Sequence, residues 1–185
     1  MKFYKVDLEY IRYLHSNDSR VQYNANYTDV LNQNCPYIGV VLKINEHNYF
    51  APLEHPRPNH KLLKPNLHIY KIKGGRLGII GLNNMIPVPE ASLIDFDINA
   101  DKNKKILVSQ YIEGKKDWNN IRERANKVYK KRITSPNKFE KKTFCDFSFL
   151  EQKCQEYENQ LLQTQQPILP NQIPPVPTNG FTQGM

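Results

Sequence analysis

The order of elements along the chain predicts an α+β fold built on a mainly antiparallel sheet. Two observations carry this. Short alternating or apolar runs fill the first half of the chain and longer helical patterns the second, as expected when helices pack against a sheet instead of alternating with its strands. The connections between the runs are also too short to hold crossover helices, so neighbouring strands must pair antiparallel. With 185 residues the chain suffices for one domain with a real core and falls short of two.

The elements follow in order. Lys2–Val6 alternates polar and apolar residues and reads as a strand. Asp7 can cap a short helix from about Leu8 to His15, with Leu8, Tyr10, Ile11 and Leu14 on its apolar side. Residues 16–36, rich in Asn, Ser, Asp and Tyr, form a long polar loop. Tyr37–Ile44 and Tyr49–Leu53 are the arms of a hairpin turned at Asn45–Asn48. The proline-rich segment Glu54–Pro65 is irregular. His68–Ile72, Leu77–Ile80 and Met85–Val88 are short strands, with turns at Gly74-Gly75 and Asn83-Asn84, and Ser92–Asp97 is a further one. Helices are expected near Lys102–Glu113, Asp117–Arg132 and Ser148–Leu162. The last opens with Ser148-Phe149-Leu150-Glu151, a capping-box pattern. Residues 163–185 hold five prolines, five glutamines and no charge, the composition of a disordered tail. The expected organisation is one domain over 1–162 followed by that tail.

No apolar run approaches the roughly 20 residues of a membrane span. Met1-Lys2-Phe3-Tyr4-Lys5-Val6 lacks the apolar block of a signal peptide. A cytoplasmic protein without membrane association is therefore expected. Cys35, Cys145 and Cys154 form neither a disulfide framework nor a zinc pattern and read as three reduced thiols.

The net charge of +8 favours a polyanionic partner, nucleic acid above all. Its distribution is uneven. Residues 1–100 are net +2, residues 101–142 net +9, and residues 143–185 net −3. In the densest part Ile121, Ala125, Val128 and Tyr129 fit one helix face, leaving cations on the others. Such a helix can pack on a core and still offer charge to phosphates. Lys115, Lys116, Arg122, Lys130, Lys131 and Arg132 are the candidate RNA contacts; the alternative is a solvated helix face. Tyr111, Trp118 and Tyr129 are interleaved with these cations and could stack on bases or belong to the core, which is the reading preferred for Trp118.

Glycine-rich phosphate loops, HExxH and the serine nucleophile elbow are all absent from the sequence, and the carboxylates lack the spacing of a two-metal nuclease. What remains is Ala51-Pro52-Leu53-Glu54-His55-Pro56-Arg57-Pro58-Asn59-His60. RNA cleavage without a metal needs a base for the ribose 2′-OH, an acid for the leaving 5′-oxygen and a cation for the phosphorane. Histidine titrates near neutrality, glutamate can share proton transfer or orient the histidine, and arginine offers a planar fork to phosphate. Glu54, His55 and Arg57 supply these types within four residues, with His60 close behind. The competing reading is an ordinary surface loop with a solvated ion pair.

Five blocks carry a resemblance. Met1-Lys2-Phe3-Tyr4 with Tyr10-Ile11-Arg12-Tyr13-Leu14, Tyr37-Ile38-Gly39-Val40-Val41-Leu42, Tyr49-Phe50-Ala51-Pro52-Leu53, Leu82-Asn83-Asn84-Met85-Ile86-Pro87-Val88, and Cys145-Asp146-Phe147-Ser148-Phe149-Leu150-Glu151 occur in the order and spacing of the type III toxin–antitoxin toxins, the ToxN/AbiQ/CptN group. The chain resembles that family over roughly residues 1–160. The resemblance implies a strongly twisted antiparallel sheet, a partial barrel, with packed helices. It implies an endoribonuclease acting without metal or other cofactor, leaving a 2′,3′-cyclic phosphate on cellular or phage RNA. It further implies inhibition by a small antitoxin RNA of repeated pseudoknot units, in closed assemblies such as three toxins with three RNAs.

The family's active segment often reads Thr-Ser-x-Lys after Ala-Pro-Leu. Here Glu54, His55 and Arg57 stand at the Thr, Ser and Lys positions. Arg57 keeps the charge, whereas Glu54 and His55 depart from the pattern. Tyr10 and His60 match a tyrosine and a histidine near the family's site and join the candidate RNA contacts. A family lysine just before the hairpin meets Cys35. A non-catalytic basic RNA-binding module is the main alternative to the ribonuclease. A DNA-binding regulator would need a recognition helix that the sequence does not offer.

Overall fold

The computed structural model describes residues 1–23 and 37–164. Cys35, most of the polar loop and nearly all of the proline-rich tail lie outside the described residues. Strands β1 (Phe3–Val6), β2 (Tyr37–Ile44), β3 (His47–Glu54), β4 (Ile69–Lys71), β5 (Ile79–Gly81), β6 (Ile86–Pro87) and β7 (Leu93–Asp95) precede helices α2 (Lys104–Lys116), α3 (Trp118–Thr134), α4 (Lys138–Thr143) and α5 (Phe147–Thr164), while α1 (Leu8–Asn17) follows β1. The α+β expectation holds. Every strand pairing is antiparallel, in the order β4-β5-β3-β2-β1-β7. The sheet curls into a partial barrel. A register shift between Ile38 and Leu42 interrupts the central hairpin, the kind of irregularity that sharpens strand twist. The second edge of β3 is shared: β6 pairs with Tyr49 and Phe50, and β5 with Leu53 and Glu54. The segment expected to carry the site therefore begins where β3 leaves the sheet.

Asp7 caps α1 as expected, its side chain accepting from the Tyr10 N–H at 3.0 Å. The buried stripe of α3 is Ile121, Ala125, Val128 and Tyr129, as the periodicity predicts. Tyr49 lies at the centre of the core, its ring edge-on to Tyr129 and Phe147 at 5.6 and 5.8 Å. Each fully buried side chain of this size contributes about 1.5–3 kcal/mol. Trp118 packs against the same core, as expected.

Two local readings need correction. Ser148 lies inside α5 and Glu151 does not close a capping box. Its Oε1 instead accepts from the hydroxyls of Tyr49 and Tyr129, at 2.8 and 2.9 Å. Helix α4 was not anticipated, although its capping box is real: the Asn137 side chain accepts from the Glu140 N–H and Glu140 from the Asn137 N–H. Cys145 and Cys154 are buried and unpaired. Burial pushes the Cys154 thiol up to about 11 and that of Cys145 higher still. Among the described residues no helix is long and apolar enough to cross a membrane.

Candidate active site

Glu54 is the last residue of β3, and the chain turns sharply after it into a single 3-10 turn at Pro58–Lys61. The prolines favour this, since each fixes φ and removes an N–H that would otherwise seek a strand partner. The turn is closed reciprocally. The His60 N–H donates to the Arg57 carbonyl at 3.0 Å, and the Arg57 N–H donates to His60 Nδ1 at 3.3 Å. His60 Nε2 faces Glu54 Oε2 at 3.7 Å, and Gln22 Nε2 donates to Glu54 Oε1 at 3.3 Å. Behind the strand end, Gln110 of α2 donates from one Nε2 to the carbonyls of Glu54 and Leu77, at 3.3 and 2.8 Å.

Two glycines allow this packing. A Cβ on Gly78 would lie 2.1 Å from the Glu54 carbonyl oxygen, and one on Gly75 2.6 Å from that of His60. Both have positive φ, +96° and +87°, which glycine adopts without steric cost. The backbone of the 72–78 segment can thus lie directly against the carbonyls of Glu54 and His60.

The structure brings Glu54, Arg57 and His60 together in one turn and leaves His55 and Arg57 exposed. His60 is 3% exposed, which corrects its expected role: it has almost no surface to offer RNA. Burial lowers its proton affinity, Glu54 opposes that shift and the Arg57 guanidinium reinforces it. Tyr10 is likewise corrected. It is fully buried, donates to the Pro87 carbonyl at 2.7 Å and packs edge-on against Tyr157, so it is a core residue.

The basic helices divide in the same way. Lys115, Lys116, Arg122 and Lys130 are exposed. Lys116 pairs with Glu113 at 2.8 Å, and Lys115 lies over the Tyr111 ring. Arg132 is committed to the fold, donating to Asp146 at 2.7 Å, and Lys131 pairs with the buried Glu140. Arg124, on the same helix, gathers the carbonyls of Asn66, Leu67 and Ile69. The sequence reading missed Gln22, Gln110, Gly78 and Arg124. For Gln110 a signal existed, because it sits three residues after Leu107 and four before Gly114 on the buried stripe of α2. Among the described residues no three His, Cys, Asp or Glu side chains converge to hold a metal ion.

Known proteins resemble this chain in sequence and in fold. Endoribonuclease ToxN of Bacillus thuringiensis subsp. kurstaki is 34% identical over 168 residues, 85% of this chain and 84% of the relative. The structure of AbiQ, described as a lactococcal anti-phage endoribonuclease of a type III toxin–antitoxin system, superposes with a TM-score of 0.71 at 32% identity, covering 85% of this chain and 98% of that one. A second structure, concerned with selective toxin inhibition by a non-coding RNA pseudoknot, superposes with a TM-score of 0.68 at 34% identity and covers 85% and 97%. The family model described as toxin ToxN of type III toxin–antitoxin systems matches residues 2–155. With a match over most of its length and the same curled sheet, the chain belongs to the ToxN family of type III toxin–antitoxin toxins.

Proposed function

We propose that this protein is an endoribonuclease toxin of a type III toxin–antitoxin system. It cleaves cellular or phage RNA without a metal ion, and a small pseudoknot RNA bound directly to it holds it inactive. The ribose 2′-OH attacks the adjacent phosphorus, its proton passing to a base. The bond from phosphorus to the 5′-oxygen breaks as an acid protonates that oxygen, leaving a 2′,3′-cyclic phosphate and a 5′-hydroxyl. His55, exposed at the head of the turn, is the first candidate for proton transfer. Glu54, anchored but still reachable, is the second, and Arg57 is the cation for the phosphorane. The observation that carries this reading is the convergence of Glu54, Arg57 and His60 in one braced turn at the end of β3. Two relatives point the same way: AbiQ is an anti-phage endoribonuclease, and the other structure concerns toxin inhibition by an RNA pseudoknot. Closed assemblies of three toxins with three RNAs, in the cytoplasm, belong to the same proposal.

The deciding experiment incubates purified protein with single-stranded RNA in EDTA and examines the ends. Cleavage that leaves a cyclic phosphate supports the ribonuclease. Cleavage only after divalent metal is restored overturns the metal-free chemistry. Binding without any cleavage returns the protein to a basic RNA-binding module. Addition of a repeat-derived pseudoknot RNA should then abolish cleavage.

A further inference from the structure

We propose that His60 is a positioning residue that ties the carboxylate of Glu54 and the backbone of Arg57 to a single buried imidazole in its Nε2–H form. The inference rests on the ribonuclease reading and adds a role that the exposed part of the segment does not reveal. A backbone N–H can only donate, so the Arg57 amide at 3.3 Å requires a bare lone pair on Nδ1. The neutral ring must then carry its proton on Nε2, the nitrogen that faces Glu54 Oε2 at 3.7 Å. One side chain thus bonds the Arg57 backbone and turns an N–H toward the Glu54 carboxylate, whose other oxygen is held by Gln22. Its own surroundings hold it still: it is 3% exposed, its N–H is bonded to the Arg57 carbonyl, and its carbonyl lies against the Gly75 backbone.

Protonation would undo this arrangement. A charged ring has donors on both nitrogens, so Nδ1–H would meet the Arg57 N–H and the turn would lose one of its two closing bonds. The charged groups that act on the ring are Glu54 from β3 and the Arg57 guanidinium from the turn itself. Burial favours the neutral ring, so the site is set up for neutral pH and is expected to lose alignment as the medium acidifies.

Two measurements test the proposal. Nitrogen NMR of the full chain with labelled histidine reads the tautomer directly. The Nε2–H signature is expected for His60 near neutral pH, and an Nδ1–H or doubly protonated ring overturns the proposal. Kinetics on a short RNA then separate the two ties. His60→Asn places an oxygen near the Nδ1 position and keeps the bond to Arg57 but cannot reach Glu54. His60→Gln reaches toward Glu54 and loses the bond to Arg57. Each should lower kcat by roughly 100-fold, the cost of a misplacement of about 1 Å, with KM changed by less than about threefold. His60→Asn should also weaken the acid limb of the pH–rate profile. Folded variants with wild-type kcat and pH profile overturn the inference alone, whereas a wild-type chain that never cleaves RNA overturns the reading beneath it. Should both variants fail to fold, the tautomer of the wild-type ring decides.

Discussion

Gly78 and the carbonyl of Glu54 are packed so closely that no side chain fits between them: a Cβ on Gly78 would lie 2.1 Å from that oxygen, in a residue already at φ +96°. Gly78→Ala is expected to cost at least about 2 kcal/mol, because an alanine in the left-handed region alone costs 1–2, and to lower Tm by roughly 4–8 °C. It should also reduce RNA cleavage, since the collision displaces the strand end that carries Glu54. Gly74→Ala is the control. Gly74 has φ +67° but open space around it, so only the conformational cost of about 1 kcal/mol applies and cleavage is retained. Equal effects of the two substitutions in thermal unfolding and RNA cleavage would contradict the close packing.

What the sequence could and could not foretell follows from the range of each interaction. Asp7 caps α1 through a residue three positions on, so the cap was legible. The stripe of α3 was legible because helical period and burial agree. The pattern at Ser148–Glu151 misled for the opposite reason: the Glu151 carboxylate is claimed by Tyr49 and Tyr129, hydroxyls far away in sequence. The same pattern at Asn137–Glu140 went unread and is a true capping box. In the candidate site, the closeness of Glu54 and Arg57 was legible because both lie in one short segment. The burial of His60 was not, because it depends on the backbone of Gly75, fifteen residues later, meeting its carbonyl. Arg124 looked like one more cation on a basic helix until the fold brought three carbonyls to it.

Within the exposed part of the turn, His55 and Arg57 should differ in what their loss does. His55→Ala is expected to abolish toxicity while leaving RNA binding intact, as a group that moves protons contributes little to ground-state affinity. Arg57→Ala should lower single-turnover cleavage by on the order of 100-fold or more, the usual effect of removing one donor to a developing negative charge. Arg57→Lys should recover part of it, since the charge survives but the planar fork does not. An active His55→Ala protein would remove His55 from the chemistry.

The cations of α3 separate into those available to RNA and those holding the fold. Arg122→Gln and Lys130→Gln, at exposed positions, should leave Tm nearly unchanged. Each should flatten the dependence of log K on log salt for single-stranded RNA by about 0.7 if it contacts a phosphate. Arg124→Gln should behave in reverse, lowering Tm by freeing the carbonyls of Asn66, Leu67 and Ile69 while changing the salt slope little. An unchanged slope in the double variant Arg122→Gln, Lys130→Gln would make this helix face simply solvated.

Lys131 poses the same question with pH as the variable. Its ammonium pairs with Glu140, which is 4% exposed and also accepts from the Asn137 N–H at 3.0 Å. Burial alone would raise the Glu140 carboxyl, but Lys131 and the Asn137 N–H outweigh it and hold the group below its ordinary 4.5. A carboxyl depressed in the folded state stabilises the protein above its unfolded value, and that stability is lost as pH falls through the folded one. Lys131→Met should therefore cost about 1–3 kcal/mol near neutral pH, toward the lower end because solvent screens the half-exposed ammonium. The difference in Tm between Lys131→Met and wild type should shrink as pH falls below the ordinary carboxylate range and Glu140 becomes protonated in both. A difference that stays constant across that range would mean that Lys131 acts through packing of its methylene stem and not through its charge.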